Sequence, residues 1–285
     1  MVILSAEDFF MDRNQLPIGV FDSGVGGLTV VRELMKNLPG ERIIYYGDTA
    51  RVPYGNKSPE TIIRYSRQIA RFLLSQDVKA IVIACNTASA LALAAVQEEL
   101  SIPVIGVVEP GASAAVRVTR SGHIGVIGTR GTVSSGLYGR FISQIRPGTN
   151  VIAKACPLFV NLVEEGMLDT PITTDVIHYY LDAMVNVDLI DTLILGCTHY
   201  PLLAPLIERE YRNLPGGRIT LVNPAYETAL ALKELLAEEG LSSEEAEVLP
   251  TEHRYYASDD AEGFRTFAEN ILGIEVPDVK IKVLE

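Results

Sequence analysis

Two of the three cysteines in this chain sit at matching points of two matching stretches. The first stretch reads Ile81-Val82-Ile83-Ala84-Cys85-Asn86-Thr87 and the second Leu193-Ile194-Leu195-Gly196-Cys197-Thr198-His199. In each, an apolar run of strand length ends in a small residue and a cysteine, and hydroxyl or amide side chains follow. A helical pattern comes next, Ala88 to Leu100 in one case and Tyr200 to Tyr211 in the other. A thiol of ordinary pKa is only a few per cent ionised at neutral pH, so a reactive cysteine needs help from its surroundings. A helix N-terminus just behind it supplies that help by favouring negative charge. Thr87 or Ser89, and Thr198 with Pro201, are the expected helix-start residues. A single buried cysteine is ordinarily a small core hydrophobe, and Cys156 in Ala155-Cys156-Pro157-Leu158 reads that way. Two cysteines at equivalent strand ends predict a site approached by two thiols. Few reactions have that requirement, and stereochemical inversion is one.

A second echo places more polar groups at the same level. Ile18-Gly19-Val20-Phe21-Asp22-Ser23-Gly24-Val25-Gly26 aligns with Ile124-Gly125-Val126-Ile127-Gly128-Thr129-Arg130-Gly131-Thr132, and a cysteine follows each at a similar interval. The Asp22–Gly27 loop follows a strand and opens a helix, where glycines permit close backbone approach and free N–H groups suit an anion. Its glycine spacing is not that of a dinucleotide fingerprint, and Asp22 would repel a pyrophosphate. The plainer reading is a tight turn capped by Asp22 or Ser23. Tyr46-Gly47-Asp48 and Val52-Pro53-Tyr54-Gly55-Asn56 form a second polar loop, where Pro and Gly set turn geometry. Asp48 and Tyr54 are candidates there because they should reach the same rim as Asp22. Thr129 and Thr132, matching Ser23 and Gly26, suit a carboxylate. An ordinary histidine titrates near neutrality, so His199 could protonate or orient a substrate group. Glu164 and Glu165 read either as site residues or as a solvated helix face.

These loops need a frame, and apolar runs alternating with helical patterns predict parallel sheets covered by helices. The predicted strands are Ile18–Phe21, Ile43–Tyr46, Ala80–Ala84, Val104–Val107, Ile124–Ile127, Val151–Ala155, Thr192–Leu195 and Ile219–Val222. Helices are expected over Leu28–Asn37, Ser58–Gln76, Ala112–Arg120, Val133–Ile145, Thr174–Val185 and Ala225–Glu238. The strands are continuously apolar, as in sheets buried on both faces. The fold class is therefore α/β, with two pseudo-symmetric lobes, each a mostly parallel sheet flanked by helices, and the active site in the cleft between them. Residues 1–109 and 218–285 are assigned to the first, discontinuous lobe and 110–217 to the second, its end falling near Leu214-Pro215-Gly216-Gly217. Strand C-terminal ends should line the cleft, as in open α/β sheets generally.

Composition narrows the partners. The 285 residues are 48% hydrophobic and 21% charged, which supports a sizeable core. A formal charge of −12 argues against nucleic acid as a default partner. No apolar run is long enough to span a bilayer. The Met1–Asn14 stretch carries Glu7, Asp8 and Asp12 and lacks a signal-peptide pattern, so export is not expected. Three cysteines do not make a disulfide framework, which points to a reducing cytoplasm. His123, His178, His199 and His253 show no metal-ligand spacing with them, so no metal is expected.

Taken in order, these motifs resemble the glutamate racemases of the cofactor-independent aspartate/glutamate racemase superfamily. The resemblance runs from Pro17 to about Leu236. It rests on Phe21-Asp22-Ser23-Gly24-Val25-Gly26-Gly27-Leu28, Tyr46-Gly47-Asp48, Pro53-Tyr54-Gly55 and Ala84-Cys85-Asn86-Thr87-Ala88-Ser89. Gly128-Thr129 with Thr132, Cys156-Pro157-Leu158-Phe159 and Leu195-Gly196-Cys197-Thr198-His199-Tyr200-Pro201-Leu202 complete it. The resemblance implies a racemase that needs no pyridoxal phosphate or other cofactor, acts as a homodimer and supplies D-glutamate for peptidoglycan. It implies that Cys85 acts on D-glutamate and Cys197 on L-glutamate, assisted by Asp22, Asp48, Glu164 and His199. It further implies substrate contacts from Asp22, Ser23, Pro53, Tyr54, Gly55, Asn86, Thr87, Thr198 and His199, with Thr129 and Thr132 at the carboxylate. Asn161 departs from a common proline, and Asn223-Pro224 from a common Asp-Ser pair. The short stretch before Pro17 gives weak reason to expect activation by a nucleotide precursor. The rival readings are an aspartate racemase and a protein that binds an amino acid, or another protein, without turnover.

Overall fold

The computed structural model describes residues 13–212 and 218–285. The predicted end of the second lobe at Leu214–Gly217 and most of the acidic N-terminal stretch lie outside the described residues. Along the chain, β1 (Ile18–Asp22) leads to α1 (Leu28–Asn37), β2 (Ile43–Gly47) to α2 (Pro59–Leu74) and β3 (Ala80–Ile83) to α3 (Asn86–Gln97). Next come β4 (Val104–Gly106), α4 (Val108–Val118), β5 (His123–Gly128), α5 (Arg130–Ser135) and α6 (Leu137–Ile145). They are followed by β6 (Asn150–Ala155), α7 (Leu158–Glu164), α8 (Pro171–Asn186), β7 (Thr192–Gly196), α9 (Ala204–Glu210) and β8 (Thr220–Val222). The last elements are α10 (Pro224–Glu238), β9 (Arg254–Ala257), α11 (Ala261–Leu272) and β10 (Val279–Ile281).

Two sheets result, with orders β10-β9-β2-β1-β3-β4 and β6-β5-β7-β8, and every pairing is parallel. The run β2-β1-β3-β4 has the same order as β6-β5-β7-β8, with β1 answering to β5 and β3 to β7. The duplication read from the cysteine stretches is thus repeated in topology. Alternate residues along the first sheet enter two different cores. Val20, Tyr45 and Val82 pack toward α1, α10 and α11, whereas Phe21, Ile44 and Ile81 pack toward α2 and α3. The second sheet does the same, Leu193 and Leu195 meeting α7, α8 and α9 while Ile194 meets α4 and α6. Burial on both faces explains why these strands carry no polar alternation.

Several boundaries differ from the sequence reading. The return to the first lobe, expected from residue 218, comes later, because Thr220–Val222 pairs with β7 as the edge of the second sheet. The helix expected over Val133–Ile145 breaks at Gly136, whose φ of 64° is a left-handed turn that glycine adopts without strain. The stretch after Cys197 begins as a single 3-10 turn over Tyr200–Leu203 before α9. Beyond α10, β9 and β10 extend the first sheet and α11 covers it, none of them foreseen.

At the base of β2, the Ile43 N–H donates to Nδ1 of buried His253 at 3.2 Å. Burial holds this imidazole down to about 4, against the opposing charge of Glu252. The unfolded chain takes up the proton near 6.5, so this contribution is intact above that pH and is lost as pH falls toward 4. We expect the melting temperature to drop more steeply between pH 7 and 4.5 for the native protein than for His253→Asn, which keeps an acceptor without a titrating proton. The stability difference between them should narrow by about 2 kcal/mol over that range. Melting temperatures that fall in parallel for the two proteins would contradict this role for His253.

Candidate functional site

Parallel strands bring β1, β2 and β3 to one common C-terminal edge. Asp22 pairs with Gly47, and Phe21 with Ile83, two residues short of Cys85. In the second sheet Gly128 pairs with Gly196, directly before Cys197. The two edges enclose a cavity of about 160 Å³. That is well below the roughly 300–1,000 Å³ of drug-sized sites, so it suits a small metabolite. Cys85 and Cys197 both line it.

Most residues singled out in the sequence meet there. Ser23, Pro53, Tyr54, Gly55, Asn86 and Thr87 come from the first lobe, and Thr129, Glu164, Thr198 and His199 from the second. Asp22, Asp48 and Thr132 do not line the cavity, unlike the expectation for substrate contacts at Asp22 and Thr132. Their side chains are used just behind the wall. Asp22 Oδ2 accepts the Gly24 and Gly27 N–H groups, both at 3.1 Å, and so shapes the loop. Asp48 accepts the Tyr54 hydroxyl at 2.5 Å and pairs with Arg51 Nε at 2.8 Å, holding Tyr54 in the wall. Thr132 Oγ1 stands 3.3 Å from Thr87 Oγ1. Sequence reasoning gave no site role to Val52, Val160 or Asn161, which also line the cavity. Nothing in their residue types marks them; only the α7 register beside Glu164 could have pointed to Val160 and Asn161.

The two thiols have unlike surroundings. Cys85, not Thr87 or Ser89, is the N-cap of α3, and its Sγ accepts the Ala88 N–H at 3.5 Å. Its thiol is pushed up to about 12, first by burial and then by the charge of Asp22, against the Ala88 N–H and the Ser23 hydroxyl 3.6 Å away. The Asp22 carboxyl is itself raised by burial. Cys197 Sγ lies 3.8 Å from Nδ1 of His199, whose Nε2 is 3.0 Å from Glu164 Oε1. Burial pulls the His199 pKa down, but bonding to Cys197 and Glu164 outweighs it and the imidazole is raised to about 10. These contacts favour the protonated imidazole, placed where negative charge on Cys197 would be stabilised. Of the two acidic neighbours, Glu164 lines the cavity and Glu165 does not. Cys156 is buried in the second core, away from the cavity wall.

The lobes touch around the cavity through backbone. A methyl group on Gly26 would collide with Thr198 Oγ1, and one on Gly55 would come within 2.7 Å of Thr129 Cβ. Glycine at both places lets the two lobes approach this closely beside the cavity. A larger open groove of about 640 Å³ lies between α4 and α10, and it contains none of the predicted site residues. Among the described residues no cluster of His, Cys, Asp and Glu could hold a metal ion.

Comparison with known proteins agrees with this arrangement. The family model for Asp/Glu/Hydantoin racemase matches residues 18–232. A glutamate racemase of Geobacter metallireducens is 50% identical over 92% of this chain and 94% of its own. The crystal structure of a Bacillus anthracis glutamate racemase superposes with a TM-score of 0.87 at 40% identity, covering 95% of this chain and 98% of that one. A Francisella tularensis glutamate racemase solved in complex with D-glutamate gives 0.86 at 40% identity, over 95% and 99%. With both thiols lining one cavity between two lobes and this degree of likeness, the chain belongs to the aspartate/glutamate racemase family, among its glutamate racemases.

Proposed function

We propose that this racemase inverts glutamate by a two-thiol mechanism, and that the D-glutamate formed serves peptidoglycan synthesis in the cytoplasm. The observation that carries the reading is that Cys85 and Cys197 come from equivalent strand ends of opposite lobes and line one small cavity. In the direction from L to D, the Cys197 thiolate removes the α-proton and becomes a thiol. The electron pair left on Cα is delocalised into the carboxylate, and Cys85 delivers its own proton to the opposite face, becoming a thiolate. The reverse direction exchanges their parts.

The surroundings favour that starting state. The His199 cation offsets negative charge on Cys197, while burial and Asp22 keep Cys85 protonated. An α-proton with no imine to absorb its electrons is very weakly acidic, so fixed donors and exclusion of water must supply the stabilisation. Thr129 caps α5 with the Thr132 N–H at 3.2 Å, and its hydroxyl faces the cavity beside Thr87, a suitable setting for a carboxylate. The lobes part to admit substrate and close for reaction, dividing near residue 109 and again past Val222. A second copy of the chain as partner is carried over from the resemblance.

Replacing either thiol tests the scheme. Cys85→Ala and Cys197→Ala should each abolish racemisation of glutamate, followed by circular dichroism, with the melting temperature little changed. Near-normal turnover by either variant contradicts the mechanism. In heavy water, both enantiomers of glutamate should acquire deuterium at Cα in the native enzyme, and faster turnover of aspartate in the same assay would favour the rival substrate. Glu164→Gln removes a contact that raises His199, so the imidazole should lose its proton at a lower pH. Ring-proton NMR titration reads that shift directly, and the alkaline limb of the rate profile should move to lower pH with it.

A further inference from the structure

Each cysteine loop is bonded to a hydroxyl that comes from the other lobe. Thr29, fully buried in the first turn of α1, places Oγ1 2.8 Å from the Thr198 carbonyl oxygen, next to Cys197. The same hydroxyl lies 2.9 Å from the Gly26 carbonyl, so its one hydrogen is shared between its own helix and the opposite lobe. Tyr138, buried in α6, donates from its hydroxyl to Asn86 Oδ1 at 2.7 Å, next to Cys85. Its ring also packs near Gly196, where an added methyl would come within 3.2 Å of Cε2. The two contacts are related as the lobes are, an α1 residue reaching the thiol loop after β7 and an α6 residue reaching the one after β3.

We propose that Thr29 and Tyr138 are positioning residues, Thr29 aligning the Cys197 loop and Tyr138 the Cys85 loop across the closed seam. Strand pairing fixes each loop only relative to its own sheet. The distance from each sulfur to a substrate held between the lobes depends on contacts that cross the gap. A proton in flight is sensitive to that distance, and a misplacement of about 1 Å can reduce the rate by roughly a hundredfold. Because both bonds span the seam, alignment of each thiol is tied to closure. Donation to Asn86 Oδ1 also leaves the Asn86 amide NH₂ free to face the cavity.

The inference rests on the two-thiol reading, and the native enzyme serves as the control for that reading through its own α-proton exchange. The test compares Thr29→Val, which keeps shape and removes the donor, with Thr29→Ser, which keeps the hydroxyl, and with Tyr138→Phe, which removes one oxygen. Thr29→Val and Tyr138→Phe should each lower kcat/KM about tenfold at little-changed melting temperature, and Thr29→Ser should recover most of the rate. An equilibrium constant of one makes kcat/KM fall equally in both directions, so rates alone do not identify the displaced thiol. Primary isotope effects with α-deuterated L- and D-glutamate do. Thr29→Val should raise the effect for the enantiomer that Cys197 deprotonates and lower it for the other, and Tyr138→Phe should do the reverse. Unchanged rates in both variants, or isotope effects that move together for the two enantiomers, would overturn the proposal.

Discussion

The governing constraint is that two strand ends from separate sheets must face one another across a space the size of a small metabolite. A single parallel sheet cannot meet it, because all its C-terminal ends point the same way. Repeating the β2-β1-β3-β4 arrangement as β6-β5-β7-β8 meets it directly. Placement of Cys85 after β3 and of Cys197 after β7 then follows from topology. The glycines at the seam are part of the same solution, since Gly26 and Gly55 let backbone approach side chains that any larger residue would push away.

Within this repeated frame the chemistry is unequal. Cys85 has a helix N–H, the Ser23 hydroxyl and the nearby Asp22 carboxyl around it, and burial dominates its titration. Cys197 has the His199 imidazole beside it, held from its far side by Glu164. Under the proposed mechanism a symmetrical pair of thiols would have no preferred starting state, whereas these unlike neighbours would favour one. The difference resides in side chains that follow the strands, Ser23 beside Cys85 and His199 with Glu164 beside Cys197.

Much of this was legible in the sequence because it depends on local pattern. Eight strands were evident from continuous apolar runs, and the paired cysteines stood out through what precedes and follows them. Among the elements that escaped, α11 is an ordinary amphipathic helix past the last segment read, and the others have weak patterns. β9 reads Arg-Tyr-Tyr-Ala after a polar stretch, β10 has three residues including a lysine, and α7 is seven residues long after Pro157, glimpsed only as an alternative helix face at Glu164. The side of the cleft to which β8 belongs is a pairing fact that three residues do not encode by themselves. The roles of Asp22 and Asp48 behind the cavity wall, and the reach of Thr29 and Tyr138 across the seam, depend on tertiary proximity that no spacing reveals.

The burial of both sulfurs has a temporal consequence under the two-thiol scheme. After one L-to-D event, Cys197 carries hydrogen and Cys85 does not, so the protein is left primed for the mirror-image event. Cys85 and Cys197 are only 5% and 6% exposed, which gives water little access while the cleft stays shut. Under that scheme the molecule would keep a one-bit memory of the last enantiomer it made, lasting until solvent exchanges the thiol proton.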